Sequence, residues 1–222
     1  ENKPAHGLLV AADEQHADMI VVGARGIGPL ESVLVGSVSR AVAQHAPIPV
    51  LVVRSSVASN LDPLRLLMAC DGTDASRLAG HVLNQLHWPE TTEGRIVTVL
   101  ESRIVGQVPA WLEEQARESD TDLMAKAWAE EHDEQRRAQR ETLREFCRDN
   151  LPGFFQQQQP IVRDGHPAEQ ILKVISEEKA NVAVCGARSH TLWHQLLMGS
   201  TSQHLLSHAP CSVLLVRQHE KP

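Results

Sequence analysis

The sequence predicts an α/β protein in which helices flank a parallel β-sheet and one unit occurs twice. The first observation is a pattern of Gly-Ala-Arg and, after a fixed gap, Gly-Ser, which occupies 23–37 and returns at 186–200, an offset of 163 residues. In that register, 14 of 32 residues are identical between 23–54 and 186–217. The second observation is that short apolar runs alternate with helical patterns, as happens when crossover helices join parallel strands. We therefore expect a duplicated α/β domain.

The first copy contains only the later elements of this unit. Its helices are expected at 4–15 and 38–45, and its strands at 19–22 and 48–53. Two strands do not bury both faces of a sheet, and residue 1 aligns with residue 164 of the other copy. We therefore expect the N-terminal half of the first domain to lie outside this chain, in a longer natural protein or in a second chain. The expected limits are 1–55 for the half-domain and 56–63 for the linker.

The second copy, expected over 64–218, contains the complete unit. Its strands are expected at 64–70, 95–100, 160–162, 181–185 and 212–216, and its helices at 73–88, 124–150, 167–179 and from 201. The segment 124–150 is so rich in charged and amide side chains that only a largely solvated helix suits it, with Trp128, Leu143 and Phe146 as its apolar contacts. Because strands that alternate with helices pair in parallel, this copy predicts a five-stranded sheet.

Composition and charge limit the classes of function. The chain has 222 residues, of which 42% are hydrophobic and 22% charged, and a formal net charge of −7 without a basic cluster. Nucleic acids and anionic membranes are therefore not expected as partners. No apolar run approaches the ~20 residues that span a bilayer, and the N-terminus lacks a signal-peptide pattern. The four cysteines show no Cys-x-x-Cys spacing, so we expect a cytoplasmic protein with reduced thiols.

The repeated loop has the chemistry of a phosphate site. Glycines after a buried strand let backbone N–H groups approach a ligand closely, and the following helix offers unpaired N–H groups and the positive end of its dipole. Ser37 and Ser200 fall where each helix begins, so each hydroxyl can cap its helix or donate to a phosphate oxygen. A plain helix cap explains one serine but explains the doubled spacing poorly. The glycine order fits neither a Walker loop nor a dinucleotide-binding loop.

These residues resemble the universal stress protein family in its tandem-domain form. The hallmark of its nucleotide-binding members is Gly-x-x-Gly, nine residues, and Gly-Ser or Gly-Thr, which Gly23, Gly26, Gly36 and Ser37 satisfy. A closing Pro-Val-x-x-Val strand follows at 49–53. The resemblance covers nearly the whole chain. The second copy is also similar to the family at two places, the aspartate that ends its first strand and the end of its second strand.

The resemblance implies a flavodoxin-like fold of the adenine nucleotide alpha hydrolase type, with five strands in the order 3-2-1-4-5. It also implies that ATP or another adenine nucleotide, with or without Mg²⁺, binds at the carboxyl ends of the strands, where open α/β sheets bind ligands. The aspartate would meet the ribose or adenine, the second strand would abut the base, and the loop would hold the phosphates. The implied nucleotide-binding residues are Gly23, Arg25, Gly26, Gly36 and Ser37 in the first copy and Asp71, Gly72, Thr73, Val99, Gly186, Arg188, Ser189, Gly199 and Ser200 in the second.

The second loop departs from the family pattern at Ser189, which stands where a glycine is expected and tolerates a positive φ poorly. The second copy therefore binds a nucleotide weakly, binds something else or binds nothing. Arg25 and Arg188 hold the same place in both loops, either as phosphate-binding cations or in structural ion pairs. His204 and His208 are one helical turn apart, but helix-end histidines facing the dipole suit this pattern better than a metal site. No metal-binding or catalytic residue is predicted.

The two closing strands, 50–54 and 213–217, are edge strands in the implied order. We expect them to pair with each other and to form a pseudo-dimer of the repeats, and a homodimer of the full chain can form in addition. The predicted function is that of a cytoplasmic stress-response protein that binds ATP as a regulatory or sensing module and is at most a slow ATPase. The alternatives are a scaffold or dimerisation protein with a degenerate second pocket, and a slow ATPase or phosphotransferase.

Overall fold

The regular elements follow the predicted alternation of strands and helices. A computed structural model describes residues 4–24, 35–54, 63–101, 121–187 and 198–217. The strands are β1 (Ile20–Gly23), β2 (Val50–Val53), β3 (Arg65–Ala69), β4 (Glu93–Leu100), β5 (Ile161–Asp164), β6 (Val182–Ala187) and β7 (Ser212–Arg217). The helices are α1 (Pro4–Glu14), α2 (Ser37–His45), α3 (Asp74–Gln85), α4 (Thr121–Asn150), α5 (Pro167–Glu177) and α6 (Ser200–His208), with a short 3₁₀ turn at Gly153–Phe155 that the sequence pattern did not predict.

The strands form a single seven-stranded sheet in the order β1-β2-β7-β6-β3-β4-β5. Numbered within the second repeat, β3 to β7 become strands 1 to 5, and their spatial order is 3-2-1-4-5. All the strand pairs within this repeat are parallel. The prediction of a flavodoxin-like α/β fold is therefore confirmed for the second repeat, including the strand order.

The two repeats share this sheet because their closing strands pair. In the first repeat β1 pairs with β2 in parallel, and β2 pairs with β7 in the antiparallel direction. The predicted contact between the closing strands is thus present, and its consequence is one sheet of seven strands instead of separate sheets for the two repeats. A homodimer of the whole chain stays a prediction.

Helices cover the two faces of the sheet in two apolar layers. On one face Val42 of α2, Val174 of α5 and Leu205 of α6 are completely buried in a common cluster, against which α1 also packs. On the other face the cluster contains Leu143 and Phe146, two of the three predicted contacts of α4, together with residues of α3. The third, Trp128, has a side chain outside the described residues. Among the helices that the structure describes, none has the length and apolar character required to cross a membrane.

The second of these layers is incomplete over the first repeat. Val184 and Val216 lie beneath α3 and are 1% and 0% exposed. Their counterparts Val21 and Val53, at the same positions of the repeat, are 60% and 39% exposed. The cause is that the first repeat has no described helix in the place that α3 occupies in the second. Valines at equivalent positions of the repeat are therefore buried beneath a helix in one repeat and exposed in the other.

Candidate functional site

A cavity of about 460 Å³ opens at the carboxyl edge of the sheet, where β3 and β6 lie side by side. The chain order reverses here, because β3 continues through α3 to β4 on one side while β6 and β7 lie on the other. Ligands of open α/β proteins bind at such switch points, and the volume falls in the range of small-molecule sites. The cavity is therefore the candidate functional site.

Five of the residues predicted from the sequence line this cavity, and they come from distant parts of the chain. They are Asp71, Val99, Gly186, Gly199 and Ser200. The parallel pairing of β6 with β3 and of β3 with β4 places the ends of these strands at one edge, which explains their convergence. Gly72 and Thr73 do not line the cavity and lie in the turn between β3 and α3. Gly72 has a φ of +76°, which turns the chain from β3 into α3 and favours glycine.

Asp71 is held in place by the start of α3. Its Oδ1 accepts hydrogen bonds from the Thr73 backbone N–H at 3.1 Å, from the Thr73 hydroxyl at 2.5 Å and from the Ser76 hydroxyl at 2.9 Å. The Asp71 N–H in turn donates to Ser76 Oγ at 3.2 Å. Asp71 itself is exposed at the cavity. This network fixes the position of a carboxylate that a ligand can reach.

Ser200 does not cap α6, contrary to one of the two predicted roles. The cap position is Gly199, which has no side chain to cap with, and Ser200 is the first helical residue. The first N–H to donate within the helix is that of Gln203, to Gly199 O at 2.9 Å. The N–H groups of the first turn therefore lack intrahelical acceptors next to the cavity, and the Ser200 hydroxyl makes no hydrogen bond to any described residue. Ser37 and Gly36 have the same arrangement at α2, so the capping role is wrong there as well.

The serine two residues later has a structural role that the sequence reasoning missed. The Ser202 hydroxyl donates to the Gly186 carbonyl at 3.3 Å, and the Ser39 hydroxyl donates to the Gly23 carbonyl at 2.6 Å. Both serines are 5% exposed. Each bond ties the start of a helix to the end of the preceding repeat strand. The signal was present in the sequence, because Ser39 and Ser202 are identical counterparts in the repeat.

Gly186 is required by packing as well as by its place at the cavity. A Cβ added there would lie 2.5 Å from the Ala75 carbonyl oxygen and 2.6 Å from its carbonyl carbon. These are backbone atoms of α3, which cannot move away without separating the helix from β6. The close approach of α3 brings Asp71 and Ser76 next to the end of β6, so the glycine shapes the site indirectly.

Two buried thiols form part of the cavity wall. Cys70 follows β3 and Cys185 lies in β6, and both line the cavity. Burial raises the pKa of the Cys70 thiol to about 11 and that of Cys185 to about 12. Both groups are therefore neutral at physiological pH and add no negative charge beside an anionic ligand. All four cysteines of the chain are free and buried.

The end of the cavity at β4 contains polar residues that the sequence reasoning did not single out. Thr98 of β4, Glu101 after it and Gln139 of α4 all line the cavity. Thr98 is 5% exposed, and Gln139 is half-buried. The helical pattern of α4 predicted its apolar contacts, but no local signal tells which polar residue of a charged helix faces a cavity.

The predicted residues of the first repeat lie elsewhere. Gly23 ends β1, and Gly36 and Ser37 start α2, and none of them lines the cavity. Because β1 is the last strand of the sheet, no described strand beside it supplies a counterpart of Asp71. The remaining predicted residues, Arg25, Gly26, Arg188 and Ser189, lie outside the described residues. Of the two predicted loops, the second thus has described residues that line this cavity, Gly186, Gly199 and Ser200.

The described residues contain no group of three or more His, Cys, Asp or Glu side chains arranged for a metal ion. His204 and His208 stack with their ring centroids 4.2 Å apart, and His208 Nδ1–H donates to the His204 carbonyl at 3.0 Å. The counterpart His45 makes the same bond to the Ala41 carbonyl at 2.8 Å. Both histidines thus lie at the end of a helix and bond to its last turn.

The fold and the cavity define a flavodoxin-like α/β protein with a cavity at its switch point. The chain belongs to the universal stress protein family, because the model of that family matches residues 1–54 and 65–217. This match covers both repeats. The family membership that the repeated loop indicated is therefore confirmed.

The chain is similar to named members of the family. A universal stress protein of Mycolicibacterium smegmatis is 28% identical over 209 residues, which are 90% of this chain and 62% of that protein. A universal stress protein of Thermus aquaticus is 46% identical over 54 residues, which are 24% of this chain and 39% of that protein. The chain thus spans less than two thirds of the length of each of these relatives.

Solved structures show the same fold. A universal stress protein of Archaeoglobus fulgidus superposes with a TM-score of 0.61 at 19% identity, covering 98% of this chain and 68% of that chain. A protein of unknown function from Pseudomonas aeruginosa superposes with a TM-score of 0.65 at 15% identity, also covering 98% of this chain and 68% of that chain. At these identities the likeness concerns the fold alone.

Proposed function

We propose that this protein binds an adenine nucleotide, ATP, in the cavity of the second repeat and acts as a regulatory module of the cellular stress response. The observation that carries the proposal is the convergence of Asp71 with the glycines and serine of the repeated loop on one cavity at the switch point. Membership of the universal stress protein family supports the role in stress.

The side of the cavity at α6 suits the phosphates. The unpaired N–H groups of the first turn and the positive end of the helix dipole attract negative charge. The Ser200 hydroxyl is available as a further donor. The neutral thiols of Cys70 and Cys185 do not repel an anion, because burial keeps the pKa of each well above neutrality. A bound Mg²⁺ would be held mainly by the phosphates.

The proposal assigns binding and not rapid catalysis. Among the described residues, the carboxylates that line the cavity are Asp71 and Glu101. Three hydrogen bonds already engage Asp71 Oδ1, so this carboxylate is placed to accept a bond from a ligand hydroxyl more readily than to move as a general base. We therefore propose ATP turnover far below the ~10 per second that is typical of enzymes.

The place of action in this proposal is a reducing compartment, the cytoplasm. Its support is that the four thiols are buried and unpaired.

A change in nucleotide occupancy would alter the contacts of the protein with partners, and a homodimer of the full chain is part of the same proposal. Size-exclusion chromatography with light scattering, with and without ATP, measures whether such a dimer forms.

Calorimetric titration of the purified protein with ATP tests the proposal. Ser200→Ala removes a hydroxyl from the proposed phosphate side and is expected to weaken ATP binding about tenfold, as for the loss of a hydrogen bond to a charged group. Ser37→Ala is the matched control, because Ser37 is the counterpart in the first repeat and lies away from the cavity, and it should bind ATP like the wild type. Asp71→Asn should also weaken binding.

Three outcomes would contradict the proposal or part of it. If the wild-type protein binds no ATP and releases no adenylate on denaturation, the scaffold alternative is favoured. If Ser37→Ala weakens binding while Ser200→Ala does not, the nucleotide site belongs to the first repeat. Measured turnover near the usual enzyme rate would instead overturn the regulatory role.

A further inference from the structure

Gln139 lies at the end of the cavity opposite the proposed phosphate side. The cavity crosses the ends of three neighbouring strands in the order β6, β3 and β4. Adjacent strands are about 4.8 Å apart, so the α6 side and the β4 side are separated by about 10 Å. A nucleotide whose phosphates lie at α6 and whose ribose lies at Asp71 would therefore place its base near β4 and Gln139.

The polar groups at this end are open to the cavity. The Gln139 carboxamide has a carbonyl oxygen that accepts and an NH₂ group that donates, and the nearby Thr98 hydroxyl can do both. Gln139 is half-buried and Thr98 is 5% exposed, and both line the cavity. A ligand that enters the cavity can therefore pair with the carboxamide and the hydroxyl at this end.

The helix that bears Gln139 is fixed on both sides of it. One turn earlier, Arg136 Nη2 forms an ion pair with Asp164 Oδ2 at the end of β5, with the atoms 2.5 Å apart. One turn later, Leu143 is 2% exposed in the apolar cluster beneath α4. These contacts hold the backbone at Gln139 relative to the strand ends. A side chain on such a support is preorganised for recognition.

The chemistry of a carboxamide distinguishes purines. Adenine presents the N6 amino donor beside the N7 acceptor, which matches the acceptor and donor of a glutamine, whereas guanine presents two acceptors, O6 and N7. Glu101, which lines the same end of the cavity, only accepts when ionised and so also favours an amino group.

We propose that Gln139 reads the base of the bound nucleotide and selects adenine over guanine through the N6 and N7 edge. This inference rests on the proposed function, since it concerns the same cavity. It adds a specificity-determining residue from α4, which neither the loop motif nor the strand ends indicated.

The test combines variants of the protein with variants of the ligand. Wild-type protein should bind ATP about tenfold or more tightly than GTP, and it should lose about tenfold in affinity for 7-deaza-ATP, which lacks the N7 acceptor. Gln139→Leu should weaken ATP binding about tenfold, leave GTP binding nearly unchanged and remove the penalty for 7-deaza-ATP. Gln139→Glu, which nearly keeps the shape of the side chain, should also remove that penalty, because it cannot donate to N7.

Gln135→Leu is the matched control. Gln135 is an exposed residue one turn earlier on α4 and does not line the cavity, so this variant should bind all three nucleotides like the wild type. If Gln139→Leu and Gln139→Glu both keep the wild-type preference for ATP and the penalty for 7-deaza-ATP, the inference is wrong while the nucleotide site stands. If the wild type binds neither ATP nor GTP, both the inference and the proposed function fail.

Discussion

Leu51 pairs with Leu214, its own counterpart in the other repeat, at the centre of the antiparallel contact between β2 and β7. The flanking pairs are Val50 with Leu215 and Val52 with Val213, and the repeat offset of 163 residues converts each of these pairs into the other. A pseudo-twofold axis therefore passes through the Leu51–Leu214 pair. A duplicated sequence makes such an isologous contact with itself in the way that two identical chains do.

The arginines at the ends of the two closing strands, Arg54 directly after β2 and Arg217 as the last residue of β7, extend this symmetry. Arg54 donates to the Leu206 carbonyl in the last turn of α6 at 2.8 Å. Its counterpart Arg217 donates to the Gln44 carbonyl in the last turn of α2. Each arginine thus binds the end of the helix of the other repeat, where unpaired carbonyls and the helix dipole favour a cation.

The first prediction concerns this reciprocal contact. Arg54 is 7% exposed, so Arg54→Met should lower the free energy of unfolding by about 2 kcal/mol through the loss of hydrogen bonds from a charged donor. Arg217→Met should act in the same direction but less, because Arg217 is only partly buried. Urea unfolding measures both. If neither variant shifts the unfolding midpoint, the arginines do not contribute to joining the repeats.

The second prediction concerns the glycine at the end of β6. Gly186→Ala should destabilise the protein by about 3 kcal/mol, since the added Cβ meets backbone atoms of α3 that cannot adjust cheaply. Gly7→Ala is the contrasting control. A Cβ at Gly7 has no atom within 4 Å, and alanine should stabilise α1 by about 0.5 to 1 kcal/mol. Thermal unfolding of both variants tests the pair, and equal midpoints would show that α3 yields to the new side chain.

The third prediction uses the unequal burial of the repeats. Val184→Ala removes methyl groups from a side chain that is 1% exposed and should cost about 2 kcal/mol. Val21→Ala makes the same change at the counterpart position, where the side chain is 60% exposed, and should cost at most about 0.5 kcal/mol. Urea unfolding compares the two. A cost for Val21→Ala as large as that for Val184→Ala would mean that another surface covers the first repeat in solution.

The fourth prediction concerns the buried thiols at high pH. Burial raises the pKa of Cys185 from its ordinary value of 9.0 to about 12 and that of Cys147 likewise to about 12. The folded state therefore keeps protons that the unfolded state releases, and stability is complete below about pH 9 and falls as pH rises toward 12. Urea unfolding near neutral pH and at about pH 10 should show this loss, with less of it in Cys185→Ala. If the free energy of unfolding is the same at both pH values, the thiols do not have the raised pKa that their burial implies.

Most of the fold could be predicted from local patterns. The alternation of apolar runs with amphipathic segments indicated each described strand and helix, and the repeat indicated the fold of the second copy through the family it resembles. Element ends were less certain. The strand expected to finish at residue 162 continues to Asp164, and that extension allows the ion pair with Arg136 that fixes α4. An ion pair between a strand end and a helix is not encoded in the alternation of apolar and polar residues along the strand, so the sequence pattern did not predict this extension.

The candidate site was predictable only where a motif exists. Asp71, Gly186 and Ser200 were found because they stand at fixed places of a loop or a strand end, and they do line the cavity. Thr98 and Gln139 were missed, because one lies in an ordinary strand and the other in a long charged helix. Which side of such a helix faces a cavity depends on where the helix lies on the sheet.

The sequence by itself determined the duplication, the α/β class and the family. Identical residues at one offset and a regular spacing of glycines can be recognised without knowledge of the fold. The sequence also showed that the loops differ at Ser189, but only the tertiary structure decided which loop has described residues beside a formed cavity. Gly186 and Gly199, at the described ends of the second loop, line the cavity with Asp71, while Gly23 of the first loop ends β1, the last strand of the described sheet. The physical reason is that a switch-point site requires two neighbouring strands, and strand neighbours are set by pairing between segments far apart in the chain.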